Sequence, residues 1–165
     1  MSSIYLHIPF CRHKCSYCSF NSYADFDSLH PRYLRALIGE IAAGPDLAGP
    51  LDTLFVGGGT PTVLNLEDLT ELLESCREKY GFAADAEVSI EANPESVGNQ
   101  VLHVLRKAGF NRLSIGVQSL QDRELSALGR VHDSGTAQQA IIDARRAGFD
   151  NLSIDLMYGV PDQTP

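Results

Sequence analysis

A ten-residue phrase occurs twice in this chain: Arg106 to Ile115 reads RKAGFNRLSI, and Arg145 to Ile154 reads RRAGFDNLSI, 39 residues further on. Each copy has the form of a helix end, a glycine turn and a strand start. Basic residues stand where the helix dipole is negative, and a glycine where the chain leaves the helix. Repetition at this spacing is what stacked βα units produce. It directs the chain toward an α/β fold of parallel strands joined by right-handed crossovers.

The remaining sequence extends the pattern toward the N-terminus. Ser3 to Ile8 alternates, with Ile4, Leu6 and Ile8 on one side and Tyr5 and His7 on the other, before Pro9 interrupts it. Pro31 opens a helix marked by Leu34, Leu37, Ile38 and Ile41 and closed by Gly44 and Pro45. Asp52 to Val56 forms a second strand that stops at three glycines. A helix through Leu66, Leu69, Leu72 and Leu73 follows, ending near Gly81. Glu87 to Glu91 makes a third strand, ended by Asn93 and Pro94, and Val101, Leu102, Val104 and Leu105 mark the helix that runs to Gly109.

With the two repeats this gives about five parallel βα units, rolled toward a partial (β/α) barrel rather than opened into a doubly wound sheet. The chain stops at Pro165, where the next helix should begin, so residues 1–165 are expected to be one domain truncated at its C-terminus. A last strand left with an unpaired edge predicts exposed apolar surface and a tendency to associate. Barrels of this kind gather their chemistry at the C-terminal ends of the strands. Those ends carry a cysteine loop, Gly57 to Thr60, Glu91, Gln118 and Asp155.

The formal net charge of -8 offers no general basic field for a phosphate backbone, which argues against nucleic acid as a partner. No apolar run is long enough to span a membrane, and the N-terminus lacks the regions of a signal peptide. The expected location is the cytoplasm.

Cys11, Cys15 and Cys18 form C-x3-C-x2-C, a spacing that lets three thiolates converge on one soft metal site. A four-iron cubane held by three thiolates leaves one iron open to an external ligand. The alternative is zinc of Cys3His type, with His7 or His13 as fourth ligand. Cys76 lies between Leu73 and Tyr80 in a helix and is expected to be buried and inert. His7 and His132 are taken as structural.

Other residues at the strand ends carry weaker signals. Gly57 to Gly59 would let a ligand approach the backbone, and Thr60 adds a hydroxyl, although a phosphate turn without a P-loop lysine reads similarly. Glu91 would accept hydrogen bonds from an ammonium or a ribose, or be a solvated surface group. Gln118 suits ribose hydroxyls or caps a strand. Arg130 is suited to pair bidentately with a carboxylate. Asp155 interrupts the apolar run from Leu152 to Met157.

The run IYLHIPFCRHKCSYCSFNS, followed in order by GGGTPT, EANPES, GVQS, GRVH and IDLMYGVP, resembles the oxygen-independent coproporphyrinogen III oxidase-like branch of the radical S-adenosylmethionine (SAM) enzymes. The resemblance spans nearly the whole chain. It implies a partial barrel with a [4Fe-4S] cluster on Cys11, Cys15 and Cys18 and an open iron chelated by the amino and carboxylate groups of SAM. It implies cofactor contacts from Tyr5, Tyr17, Gly58, Gly59, Thr60, Glu91, Gln118, Arg130 and Asp155. The reduced cluster would pass one electron to the sulfonium and release a hydrogen-abstracting radical, with a flavodoxin or ferredoxin as electron donor.

The same resemblance divides two functions. Decarboxylases of coproporphyrinogen usually carry a further cysteine two places after the motif, where this chain has Phe20, and a long N-terminal arm, which is absent here. Both departures favour the members that resemble heme chaperones, which bind heme and deliver it to respiratory proteins. Coproporphyrinogen oxidation and a zinc-stabilised scaffold are the alternatives. The heme ligand of the chaperone branch lies beyond Pro165.

Overall fold

The computed structural model describes residues 1–160 and 163. Five parallel strands form one sheet: β1 (Ser3–Ile8), β2 (Leu51–Gly58), β3 (Phe82–Ala92), β4 (Arg112–Gln118) and β5 (Asn151–Leu156). Their order in the sheet is their order in the chain. A doubly wound sheet reverses direction at a switch point, and this one does not, which decides for the barrel-type arrangement. Among the described residues β1 and β5 are its two edges.

Helices α1 (His30–Ala43), α2 (Leu66–Tyr80), α3 (Asn99–Ala108) and α5 (Ser134–Arg146) follow successive strands, and each packs beside the next. The short α4 (Asp122–Ala127) precedes α5. The core lies between sheet and helices, where Leu6 and Ile8 of β1 meet Leu34, Leu37 and Ile41 of α1, and Ile90 and Leu113 meet the α2 and α3 leucines. Alternation in β1 therefore sends Tyr5 and His7 to the opposite face. Asn65 Oδ1 accepts from Asp68 N at 2.8 Å to cap α2, and Asp133 Oδ1 accepts from Thr136 N at 2.7 Å to cap α5.

The repeated phrase has a direct structural counterpart. Arg112 pairs with Asn151, Leu113 with Leu152, Ser114 with Ser153 and Ile115 with Ile154, so equivalent positions of the two copies are neighbours in the sheet. Both turn glycines take positive φ, 122° at Gly109 and 91° at Gly148, and the phenylalanines after them, Phe110 and Phe149, are buried.

Two strands are longer than expected. β2 continues through Gly57 and Gly58, which pair with His7 and Ile8, because neighbouring backbone holds them despite their weak strand propensity. β3 starts at Phe82 rather than Glu87, through an alanine-rich stretch that carries no alternating signal. Helix α4 is too short to show a periodicity and was not foreseen. Pro161, the last residue of IDLMYGVP, and the chain end at Pro165 lie outside the described residues. Ile154 and Leu156 on β5 and Tyr158 beyond it are exposed.

Candidate cofactor site

The loop after β1 is tied at several points. Cys11 N donates to Tyr23 O at 3.0 Å and Tyr23 N to Pro9 O at 2.8 Å, which closes its base. Lys14 Nζ donates to the carbonyls of Phe20 and Ser22 at 3.0 and 2.9 Å, bracing its middle. Ser16 Oγ donates to Leu128 O at 3.0 Å and docks the loop on the turn after α4. Thr60 N donates to Phe10 O at 2.7 Å and ties the loop to the end of β2.

Cys11, Cys15 and Cys18 are half-buried on this loop, whereas Cys76 is buried in α2 with its thiol pushed up to about 11 by burial. All three loop cysteines line one cavity of about 310 Å³ at the C-terminal ends of the strands. Tyr17, Gly58, Gly59, Thr60, Glu91, Gln118, Arg130 and Asp155 line it too. The five strand ends named from the sequence thus face a single mouth, of a size suited to a small ligand.

Tyr5 stands outside this wall. Its hydroxyl lies 3.0 Å from His7 Nδ1, and its ring stacks on Phe55. His7 Nε2 faces Asn21 O at 2.9 Å, so both ring nitrogens have partners away from the cysteines. His132, with a fully buried side chain, sits between Val117 O and the Glu95 carboxylate, each at 3.1 Å. Burial works against the Glu95 carboxylate, but the His132 hydrogen bond and the Arg130 charge outweigh it and hold Glu95 below its ordinary value. His13 lines the cavity. Among the described residues no group of three or more His, Cys, Asp or Glu side chains is placed to hold one metal ion.

Arg130 is the most connected charge in the cavity. Its Nη1 donates to Cys15 Sγ at 3.3 Å, and its Nη2 donates to Asn93 Oδ1 at 2.8 Å and Gly116 O at 3.0 Å. Buried Nε has no partner among the described residues. Asn93 Nδ2 donates to Thr60 Oγ1 at 3.0 Å, and Thr60 Oγ1 lies 3.7 Å from Cys11 Sγ as its donor. Asn93 was read from the sequence only as the end of a strand before proline. Its local signal is that of a turn, and only contact with Arg130 reveals more.

Glycine geometry shapes the wall. A Cβ on Gly59 would stand 2.5 Å from Phe10 O and 2.9 Å from Cys11 Sγ, and one on Gly57 would stand 2.8 Å from Glu91 Oε2. Gly58 N donates to Glu91 Oε2 at 3.0 Å. Burial raises the Glu91 pKa, that amide opposes the rise, and nearby Asp155 adds to it. Asp155 Oδ1 accepts from Ser114 Oγ at 3.4 Å. Gln118 adopts φ 68° at the irregular end of β4, anchored where Met157 N donates to its carbonyl at 2.8 Å. A strained non-glycine residue in a cavity wall is characteristic of a working site.

The donor set suits an iron–sulfur group. Arg130 donates to Cys15 Sγ and Thr60 to Cys11 Sγ, and Ser22 Oγ lies 4.0 Å from Cys18 Sγ, contacts of the kind that sulfur ligands of clusters receive, while Gly59 leaves room against Cys11 that any side chain would fill.

The family model described as "Radical SAM superfamily" matches residues 5–165. This chain belongs to the radical SAM superfamily. Among curated radical SAM relatives, the heme chaperone HemW of Mycobacterium tuberculosis is 43% identical over 98% of this chain, and that of Bacillus subtilis is 42% identical over 99%. The chain spans 43% and 44% of the lengths of those two proteins. The structure of the radical SAM enzyme coproporphyrinogen III oxidase (HemN) from Escherichia coli superposes with a TM-score of 0.90 at 39% identity, covering 99% of this chain and 38% of that one. Radical SAM membership implies an iron–sulfur cluster and SAM, which sets the zinc scaffold aside.

Proposed function

We propose that residues 1–165 are part of the cofactor-binding core of a heme chaperone, with a [4Fe-4S] cluster on Cys11, Cys15 and Cys18 and SAM on the remaining iron. The observation that carries the cofactor reading is the convergence of three loop thiols and the Arg130 guanidinium on one cavity. When bound and reduced, the cluster supplies one electron to the sulfonium of SAM. The chain's own groups position and shield. Arg130, whose charge suits a carboxylate and whose buried Nε has no partner among the described residues, and the Gly58–Thr60 turn, where two residues without side chains leave room for a ligand, stand at the methionine end. Glu91, Gln118 and Asp155 offer acceptors to the ammonium and ribose hydroxyls, while Tyr17 borders the cysteine loop and Tyr5 supports the wall through His7. The surrounding strand ends exclude water from a reactive centre.

Heme as cargo is supported by the chaperone relatives and by Phe20 standing where the decarboxylase branch usually has its further cysteine. In this reading the protein works in the cytoplasm, draws electrons from a flavodoxin or ferredoxin and passes heme to respiratory proteins. Among the described residues no helix is long and apolar enough to cross a membrane. The second reading, oxidative decarboxylation of coproporphyrinogen III, is favoured by the likeness to the E. coli oxidase.

Anaerobic reconstitution of the full chain with iron and sulfide, followed by electron paramagnetic resonance (EPR) with and without SAM, tests the cofactor reading. A reduced-cluster signal that changes on adding SAM and vanishes in Cys15→Ala is the expected result. Zinc without iron would overturn it. Tight heme binding without decarboxylation of coproporphyrinogen supports the chaperone, and decarboxylation would favour the oxidase.

A further inference from the structure

We infer that Asn93 is a positioning residue that fixes the direction of a hydrogen-bond relay ending on two cluster-binding sulfurs and thereby tunes the cluster's reduction potential; the inference rests on the cofactor reading above. The relay runs from Cys15 Sγ through Arg130, Asn93 and Thr60 to Cys11 Sγ. Each link has only one workable polarity. A guanidinium has donors and no acceptor, so the Asn93 amide presents Oδ1 to Arg130 Nη2 at 2.8 Å. Its Nδ2 is then turned to Thr60 Oγ1, 3.0 Å away, and the threonine oxygen accepts. A hydroxyl has one hydrogen, and with its oxygen accepting from Asn93, that hydrogen is free to point at Cys11 Sγ.

The surroundings hold the amide in this pose. A Cβ on Gly116 would come within 3.0 Å of Asn93 Oδ1, so glycine at that position allows the side chain to lie against β4. The Asn93 backbone is held as well, its N donating to Ser96 Oγ at 3.1 Å and its carbonyl accepting from Ser96 Oγ at 2.7 Å. Donors on sulfur withdraw electron density and favour the more negative, reduced cluster. An arginine thus biases Cys11 without touching it, through an amide whose orientation it dictates.

The test is a redox titration of the reconstituted full chain, followed by EPR, for wild type, Asn93→Asp, Thr60→Val and the double variant. An aspartate only accepts, so the Thr60 hydroxyl turns to it and leaves Cys11; Thr60→Val removes the hydroxyl. Both single variants shift the midpoint potential to more negative values. The added charge of Asn93→Asp acts with or without the hydroxyl, so the relay is read from the cycle: the double shift falls short of the sum of the single shifts. Thr60→Ser restores the wild-type potential.

Additive shifts, or Thr60→Ser behaving as Thr60→Val, overturn the relay while leaving the cofactor reading intact. A wild-type chain that takes up no cluster overturns both. If Asn93→Asp does not fold, Asn93→Ala provides the same corner of the cycle, with the same loss of additivity expected.

Discussion

Gly59 illustrates how little space separates the strand ends from the cysteine loop. A methyl group there would stand 2.5 Å from the Phe10 carbonyl and 2.9 Å from Cys11 Sγ, both fixed by backbone pairing. Gly59→Ala is expected to retain its circular dichroism while iron bound per chain falls to less than about half, because the loop shifts and the fold does not. The sequence marked this position only as one of three glycines, and three glycines after a strand have many explanations. A second residue-scale expectation concerns acid. Glu95 is held below its ordinary value of 4.5, so the stability it contributes is complete above that range and is lost as pH falls through the lower folded value. Urea midpoints measured from pH 7 downward should fall more steeply below about pH 4.5 in wild type than in Glu95→Gln, which has no such carboxylate to protonate. The partner in this pair, His132, has both ring nitrogens paired, and nothing near it in sequence pointed to Glu95.

At the scale of elements, local pattern located each long helix and each strand, because apolar periodicity and turn residues are written within a few positions. Boundaries set by a neighbour were not legible in this way. β2 runs into its glycines because β1 pairs with them, and β3 extends back to Phe82 beside Leu51. The end of β4 holds a prediction of its own. Gln118 at φ 68° carries strain of about 1–3 kcal/mol that a glycine would not. Gln118→Gly is expected to match or exceed wild-type stability by up to about 1 kcal/mol in urea unfolding, part of the relief being offset by glycine's greater freedom when unfolded. Its affinity for SAM should drop about tenfold, as measured by titration calorimetry, through loss of the amide that faces the cavity. Stability and binding moving in opposite directions would mark the strain as functional.

For the molecule as a whole, the repeat carried the most information. Parallel strands in chain order follow from one βα unit laid beside the next, and the two copies of the phrase meet in register, Leu113 against Leu152. What the repeat could not convey is how loops from different units meet over the strand ends, since the Arg130 contacts span 14, 37 and 115 residues of chain. The cysteine loop also has ties of its own that involve none of its sulfurs. Its base is paired, Lys14 braces it and Ser16 anchors it. The entropy of ordering such a segment, about 1–2 kcal/mol per residue, belongs to folding and not to loading. Anaerobic chelation should therefore bleach the reconstituted protein while its far-ultraviolet circular dichroism stays unchanged, unlike a zinc finger, which unfolds when stripped. A chain built in this way treats oxygen damage as an injury to a replaceable part: the mineral is lost, the mould survives, and a fresh supply of iron and sulfide can refill it.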